Sequence, residues 1–241
     1  MFDHVTIRVS DRAAAQRFYT TVLGVVGAEL SGDDDFAEWH DFSLTAADVQ
    51  HPVTRGLHVG FAARARAEVD AFWRAGLEAG GRDDGAPGPR PQYREDYYGG
   101  FLLDPDGNSV EAVHHGARRD EGRIDHLWLR VSDLAASAAF YATVGRVAGH
   151  QIVEHSPAHV QVKGTAGSFS LIAGDRPTRH AHIAFPADDD ATVDAFHAVA
   201  TAAGHPSGGE PGERPAYHAG YYAAFVLDPD GNNIELVNHN R

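Results

Sequence analysis

Apolar and polar residues alternate along several short stretches of this chain. From His4 to Val9, the residues Val5, Ile7 and Val9 fall on one face and His4, Thr6 and Arg8 on the other, the period of a half-buried strand. The period then becomes helical to about Leu23, with Phe18 and Val22 on one side and Ser10 or Asp11 placed to cap the first turn. Short strands are expected near Phe36 to Thr45. Leu57 to Ala62 alternates again, with Leu57, Val59 and Phe61 opposite His58, Gly60 and Ala62. A second helix follows, with Val69, Phe72, Trp73 and Leu77 on one side. The Pro/Gly-rich stretch Gly85 to Pro91 reads as a loop. A strand from Tyr97 to Leu103, the turn DPDGN and a strand from Ser109 to Val113 complete the pattern. The order is strand, helix, three strands, performed twice. The apolar strand faces are expected under helices, and the faces carrying the histidines and small residues are expected to line a cavity.

The whole pattern then recurs. RPQYREDYYGGFLLDPDGNSVEAVHH, from Arg90 to His115, and RPAYHAGYYAAFVLDPDGNNIELVNH, from Arg214 to His239, agree at fifteen of 26 positions without a gap. FDHVTIRVSD, from Phe2, is answered by IDHLWLRVSD, from Ile124, and FYTTV by FYATV. The chain therefore reads as two copies of one fold, domains 1–115 and 124–241, joined by a polar linker at 116–123.

The repeat carries chemistry with it. The first half holds His4, His58 and Glu111; the second holds His126, His182 and Glu235. From 58 to 182 and from 111 to 235 the step is 124 positions, and from 4 to 126 it is 122. Two imidazoles and one carboxylate make the facial set that holds a divalent metal and leaves positions open for substrate or water. One metal is expected per half, from the three ligands of that half. Thr6, Arg8, Tyr97 and Phe101, with Trp128, Arg130, Tyr221 and Phe225 in the second half, are candidate substrate contacts by strand parity. Arg8 and Arg130 are expected either to recognise an anionic ligand group or to pair with an acid such as Glu38 or Asp41. Trp128 stands where the first half has Thr6, which makes the first half the better candidate for chemistry. His114, His115, His155, His159 and His218 receive no role, and no catalytic residue is assigned.

Composition narrows the alternatives. The chain has 241 residues, 43% of them hydrophobic, enough for two modest cores. No apolar run approaches membrane-spanning length, so a cytoplasmic protein without membrane partners is expected. The absence of cysteine excludes disulfides, iron–sulfur clusters and thiolate zinc sites. A net charge of −14 argues against nucleic acid as a partner, and a single lysine without a Walker-type glycine loop argues against a nucleotide phosphate site. A small-molecule partner and a monomer or homodimer are expected.

The motifs DHVTIRVSD, FYTTVLG, HVGF and GGFLLDPDGNSVEAV, present in both halves in related form, resemble the vicinal oxygen chelate superfamily, which includes glyoxalase I, bleomycin-resistance proteins, fosfomycin-resistance enzymes and type I extradiol dioxygenases. The resemblance covers essentially the whole chain. It implies an α+β fold of two tandem domains, each of paired βαβββ modules forming cup-shaped half-barrels, with metal ligands at His4 or His126, His58 or His182, and Glu111 or Glu235. It also implies a divalent metal, with Fe(II) the leading candidate and Mn(II), Ni(II) or Zn(II) the others. The departures are informative. Glyoxalase I adds a glutamate in an E-L-T run that here reads Ser43-Leu44-Thr45, and Ser170-Leu171-Ile172 in the second half. Extradiol dioxygenases share the three-ligand set but place a tyrosine where Phe101 and Phe225 stand and an acid–base histidine near Ser43 or Gly167. Thr6 matches a fosfomycin-resistance position, without that group's cation-binding loop. The resemblance leads to a dioxygenase-like metal enzyme acting on a small oxygen-rich molecule. A glyoxalase-like lyase or isomerase and a non-catalytic sequestering protein are the alternatives.

Overall fold

The computed structural model describes residues 1–33, 35–116, 123–165 and 167–240. Most of the expected linker lies outside these. Four βαβββ modules follow one another among the described residues, two in each half of the chain. In the first half, β1 (His4–Val9), α1 (Arg12–Val25), β2 (Ser31–Gly32), β3 (Ala37–Trp39) and β4 (Phe42–Ala46) form one module. β5 (Leu57–Ala62), α2 (Arg66–Glu78), β6 (Arg82–Pro89), β7 (Tyr98–Leu103) and β8 (Ser109–His114) form the next. The second half repeats this as β9 (Ile124–Val131), α3 (Leu134–Gly145), β10 (Gln151–Ser156), β11 (His159–Gly164) and β12 (Gly167–Ala173), then β13 (His182–Pro186), α4 (Asp190–Ala202), β14 (Ser207–Glu213), β15 (Tyr222–Leu227) and β16 (Asn233–Asn238).

The local causes repeat as well. Asp11 and Asp133 lie in extended conformation and accept a hydrogen bond from the backbone N–H of Ala14 and Ala136, capping α1 and α3. Val5, Ile7 and Val9 are buried on the apolar face of β1, and Phe18, Tyr19 and Val22 are buried on α1. At the DPDGN turns, buried Asp104 and Asp228 accept from Asn108 N–H and Asn232 N–H and from the hydroxyls of Tyr19 and Tyr141. Each turn is thus fastened to the helix of the preceding module.

One expected loop is a strand. Gly85 to Pro89 belongs to β6, which pairs with β7 through two register shifts. β6 ends the strand order β5-β8-β7-β6, and an edge strand tolerates Pro87 and Pro89 because one side needs no N–H donors. Gly85, at φ 146, supplies backbone freedom at the shift.

The compact units do not coincide with the repeats. One unit is Thr6–Leu127; the other combines Met1–Val5 with Trp128–Arg241. The boundary therefore cuts β1 and β9 part-way along. The backbone shows why: the N–H of Asp3 donates to the carbonyl of Ala184 at 2.9 Å, whereas the N–H of Ala62 donates to the carbonyl of Arg123 at 2.9 Å. The start of β1 runs beside β13, and the start of β9 runs beside β5.

Candidate metal centres

This exchange of strand starts decides which ligands meet. His58, Glu111 and His126 come together in the Thr6–Leu127 unit, and His4, His182 and Glu235 in the other. The residues are those marked in the sequence; the expected grouping by halves is corrected, because each site takes its opening-strand histidine from the other repeat. Within each unit the register fixes the rest. In the first site Glu111 on β8 faces Gly60 across the parallel pairing with β5 and Phe101 across the antiparallel pairing with β7. In the second, Glu235 faces Ala184 and Phe225 in the same way.

The ligand atoms of the first site form a nearly equilateral triangle. His58 Nε2 and His126 Nε2 are 3.1 Å apart and lie 3.2 and 3.3 Å from Glu111 Oε2. In the second site the corresponding edges are 3.1 Å between His4 and His182, 2.9 Å from His182 to Glu235 and 3.6 Å from His4 to Glu235. Neighbouring ligands on an octahedral ion at about 2.1 Å stand ~3.0 Å apart, so the first site matches one face of an octahedron. The donor set, nitrogen and oxygen without sulfur, suits Fe(II), Mn(II), Ni(II) or Zn(II).

Each ligand is held from behind. Tyr97 OH donates to Glu111 Oε1 at 2.8 Å, and Tyr221 OH to Glu235 Oε1 at 2.6 Å, so one carboxylate oxygen is committed and Oε2 alone faces the histidines. His126 Nδ1–H donates to Asp125 at 3.0 Å and His4 Nδ1–H to Asp3 at 2.8 Å, which turns each Nε2 toward the site. His58 Nδ1–H donates to Ser109 Oγ at 3.0 Å, and that hydroxyl donates to Asp84 at 2.8 Å. In the second site Asn233 replaces Ser109, with its amide 3.0 Å from His182 Nδ1 and its Oδ1 buried without a partner among the described residues. The amide orientation that leaves no buried oxygen orphaned directs Oδ1 at His182 Nδ1–H.

Electrostatics follow from these contacts. Burial would raise the pKa of Glu111, but hydrogen bonds from His126 and His58 outweigh it and bring the carboxyl below its ordinary value. Burial would lower that of His126, but its bonds to Asp125 and Glu111 outweigh this and hold it up at about 9. Glu235 is lowered by the same balance, with burial opposed by His182 and His4.

The other marked residues divide. Phe101 and Phe225 lie against His58 and His182, with ring centroids 6.0 and 6.2 Å apart, and Tyr97 and Tyr221 touch the glutamates. Thr6 is buried, its hydroxyl 2.7 Å from Ser43 Oγ. Thr6 belongs to the unit that holds His58, Glu111 and His126, and Trp128 to the unit that holds His4, His182 and Glu235. Arg8 is half-buried and Arg130 exposed. The expected ion pair with Glu38 or Asp41 does not form among the described residues: Asp41 accepts instead from Ile124 N–H at 3.0 Å. Ser43 and Ser170 bond to Thr6 and to His159, and each metal-capable group among the described residues has three members. Sequence reasoning missed Asp3, Asp125, Ser109, Asn233 and His239, and named His115 without giving it a role. The signal was present: Asp-His opens both halves, and His115 and His239 close the two matching segments.

Fold and ligand sets define a metal-capable βαβββ protein. A family model described as the Glyoxalase/Bleomycin resistance protein/Dioxygenase superfamily matches residues 1–112 and again 123–236, and the chain belongs to that superfamily. Among solved structures, glyoxalase I from Zea mays is similar at a TM-score of 0.69 and 19% identity, covering 99% of this chain and 92% of that one. A putative dioxygenase from Bacillus subtilis is similar at a TM-score of 0.63 and 14% identity, covering 100% of this chain and 85% of that one. No curated protein matches the chain in sequence. No helix is long and apolar enough to cross a membrane among the described residues.

Proposed function

We propose that the chain is a divalent-metal-dependent enzyme acting on a small oxygen-rich organic molecule, with His58, Glu111 and His126 holding one cation and His4, His182 and Glu235 another. The observation that carries this reading is the near-equilateral triangle of His58, His126 and Glu111 atoms, each ligand oriented by a partner behind it. A divalent cation held by such a set supplies Lewis acidity to oxygen atoms of a bound molecule and leaves further positions open. The protein's own part is to present two imidazole nitrogens, which give up any Nε2 proton when a cation binds, and one carboxylate oxygen, and to keep the second oxygen engaged by a tyrosine. Phe101 and Phe225 supply apolar surface beside the sites. Serine at 43 and 170 supports a three-ligand, dioxygenase-like site over one with a fourth carboxylate. Metal analysis of protein purified without oxygen tests this. About two equivalents per chain are expected. Iron favours oxygen-dependent ring cleavage, and nickel, manganese or zinc favours isomerase or lyase chemistry. Failure to retain any of these cations when they are offered overturns the proposal and leaves sequestration of a small molecule.

A further inference from the structure

Behind each site stands one histidine outside the ligand set that touches two of its supports. In the first, His115 Nε2–H donates to Asp125 Oδ2 at 3.0 Å, while Asp125 Oδ1 accepts from the ligand His126. The same imidazole stacks on Tyr97, the tyrosine that holds Glu111, with centroids 6.0 Å apart and planes at 21°. In the second, His239 Nε2–H donates to Asp3 Oδ2 at 2.8 Å, while Asp3 Oδ1 accepts from the ligand His4. His239 also meets Tyr221 edge-on, with centroids 5.2 Å apart, and Tyr221 holds Glu235. One ring therefore braces the aspartate behind a histidine ligand and the tyrosine behind the glutamate ligand.

The two braces differ in their own support. His239 Nδ1 lies 2.9 Å from His218 Nε2, and the two rings stack at 14°. The residue corresponding to His218 in the first repeat is Arg94, which pairs with Asp96 at 3.0 Å, and His115 Nδ1 is buried without a hydrogen-bond partner among the described residues.

We infer that His115 and His239 are positioning residues for the two metal centres, and that His218 extends this support at the second centre only. The inference rests on the metal-binding reading of these sites. An aspartate free to turn away lets its histidine ligand rotate, and outer partners of metal ligands are worth about 10–100-fold in metal affinity. Glutamine can place an N–H near the position of His Nε2, so it should restore the bond to aspartate where alanine cannot.

The test is a cobalt(II) titration of the full chain, followed by the visible absorption of the bound ion, with one centre silenced at a time. In the Glu111→Gln background, which leaves the second centre, His239→Ala should weaken cobalt binding about 10–100-fold, and His239→Gln should recover most of the loss. His218→Ala should weaken the same centre to a smaller degree. In the Glu235→Gln background, His115→Ala should weaken the first centre, and Arg94→Ala should leave it unchanged. Thermal unfolding of each variant shows whether alanine disturbs folding, in which case the glutamine variants decide: cobalt affinity and absorption close to those of the parent support the inference. Parental affinity in His115→Ala and His239→Ala overturns it, as does a glutamine variant that folds normally but binds no better than alanine. Parent proteins that bind no cobalt overturn the metal-binding reading itself, a result distinguishable because it precedes any change at His115 or His239.

Discussion

The two centres share their ligands and differ in the ground beneath them. Gly60 pairs with Glu111 in the first, and Ala184 with Glu235 in the second. A Cβ on Gly60 would stand about 2.7 Å from His126 Nδ1 and closer still to the ring carbon Cε1, so the His126 ring occupies the space that a methyl would take. Gly99 likewise leaves no room for a Cβ beside Glu111 Oε1, and its counterpart is Ala223. The consequences are visible. The side chains of His58 and His126 are 8% and 13% exposed, against 20% and 27% for His182 and His4. The opening-strand histidine lies 3.3 Å from the glutamate in the first centre and 3.6 Å in the second. Two methyl groups thus separate a closed, regular centre from a more open one, and the first is expected to hold its cation more tightly.

The largest effect comes from the glutamates. Glu111→Gln and Glu235→Gln should each remove one of two bound cations, and the double variant should bind about 100-fold more weakly or not at all, because the only formal ligand charge at each centre is gone. Metal content after dialysis reads this directly, and an unchanged content in the double variant would break the comparison at its root. The next test exchanges the floor of the two centres. Gly60→Ala should displace His126 and weaken the first centre about tenfold, near 1.4 kcal/mol, while Ala184→Gly should tighten the second. Competition titration with a chelator measures both, and no change in Gly60→Ala would show that His126 is free to move aside.

How much of this the sequence carried depends on what kind of interaction decided each feature. Strands such as His4–Val9 and Leu57–Ala62 were legible because one face is buried and the side-chain period records it. The DPDGN turns were legible because their residues act locally. The six metal-capable residues were legible because the repeat placed His-His-Glu twice at matching steps. Their grouping was not, since His4 and His126 are equivalent by sequence. The choice rests on backbone hydrogen bonds, Asp3 to Ala184 and Ala62 to Arg123, which leave no mark on side-chain periodicity. β6 was hidden for a related reason: glycine and proline are turn formers in isolation, and only its place at an edge makes them acceptable in a strand.

A smaller effect is expected from the tyrosines. Tyr97→Phe and Tyr221→Phe each remove a hydrogen bond to a buried carboxylate, of order 1.5–3 kcal/mol when the carboxylate is charged, part of which a bound cation offsets. Roughly a tenfold loss of metal affinity should follow at the matching centre only, read by the same chelator competition. Equal losses at both centres from either variant would mean that the two are coupled and that the comparison needs revision. The smallest effect is expected at the partner of the β13 histidine. Asn233→Ser copies the arrangement around His58 and should change the affinity of the second centre by no more than about threefold, because either side chain can accept from Nδ1–H. A large loss would show that the amide does more than set the tautomer of His182.

The central claim is that each centre takes its opening-strand histidine from the other repeat. Cation stoichiometry in two double variants tests it most directly. His4→Ala with Glu235→Gln damages one centre twice and should leave one cation per chain, whereas His4→Ala with Glu111→Gln damages both and should leave none. The reverse outcome, one cation retained in the second variant and none in the first, would contradict the account and return the ligands to the grouping by sequence halves.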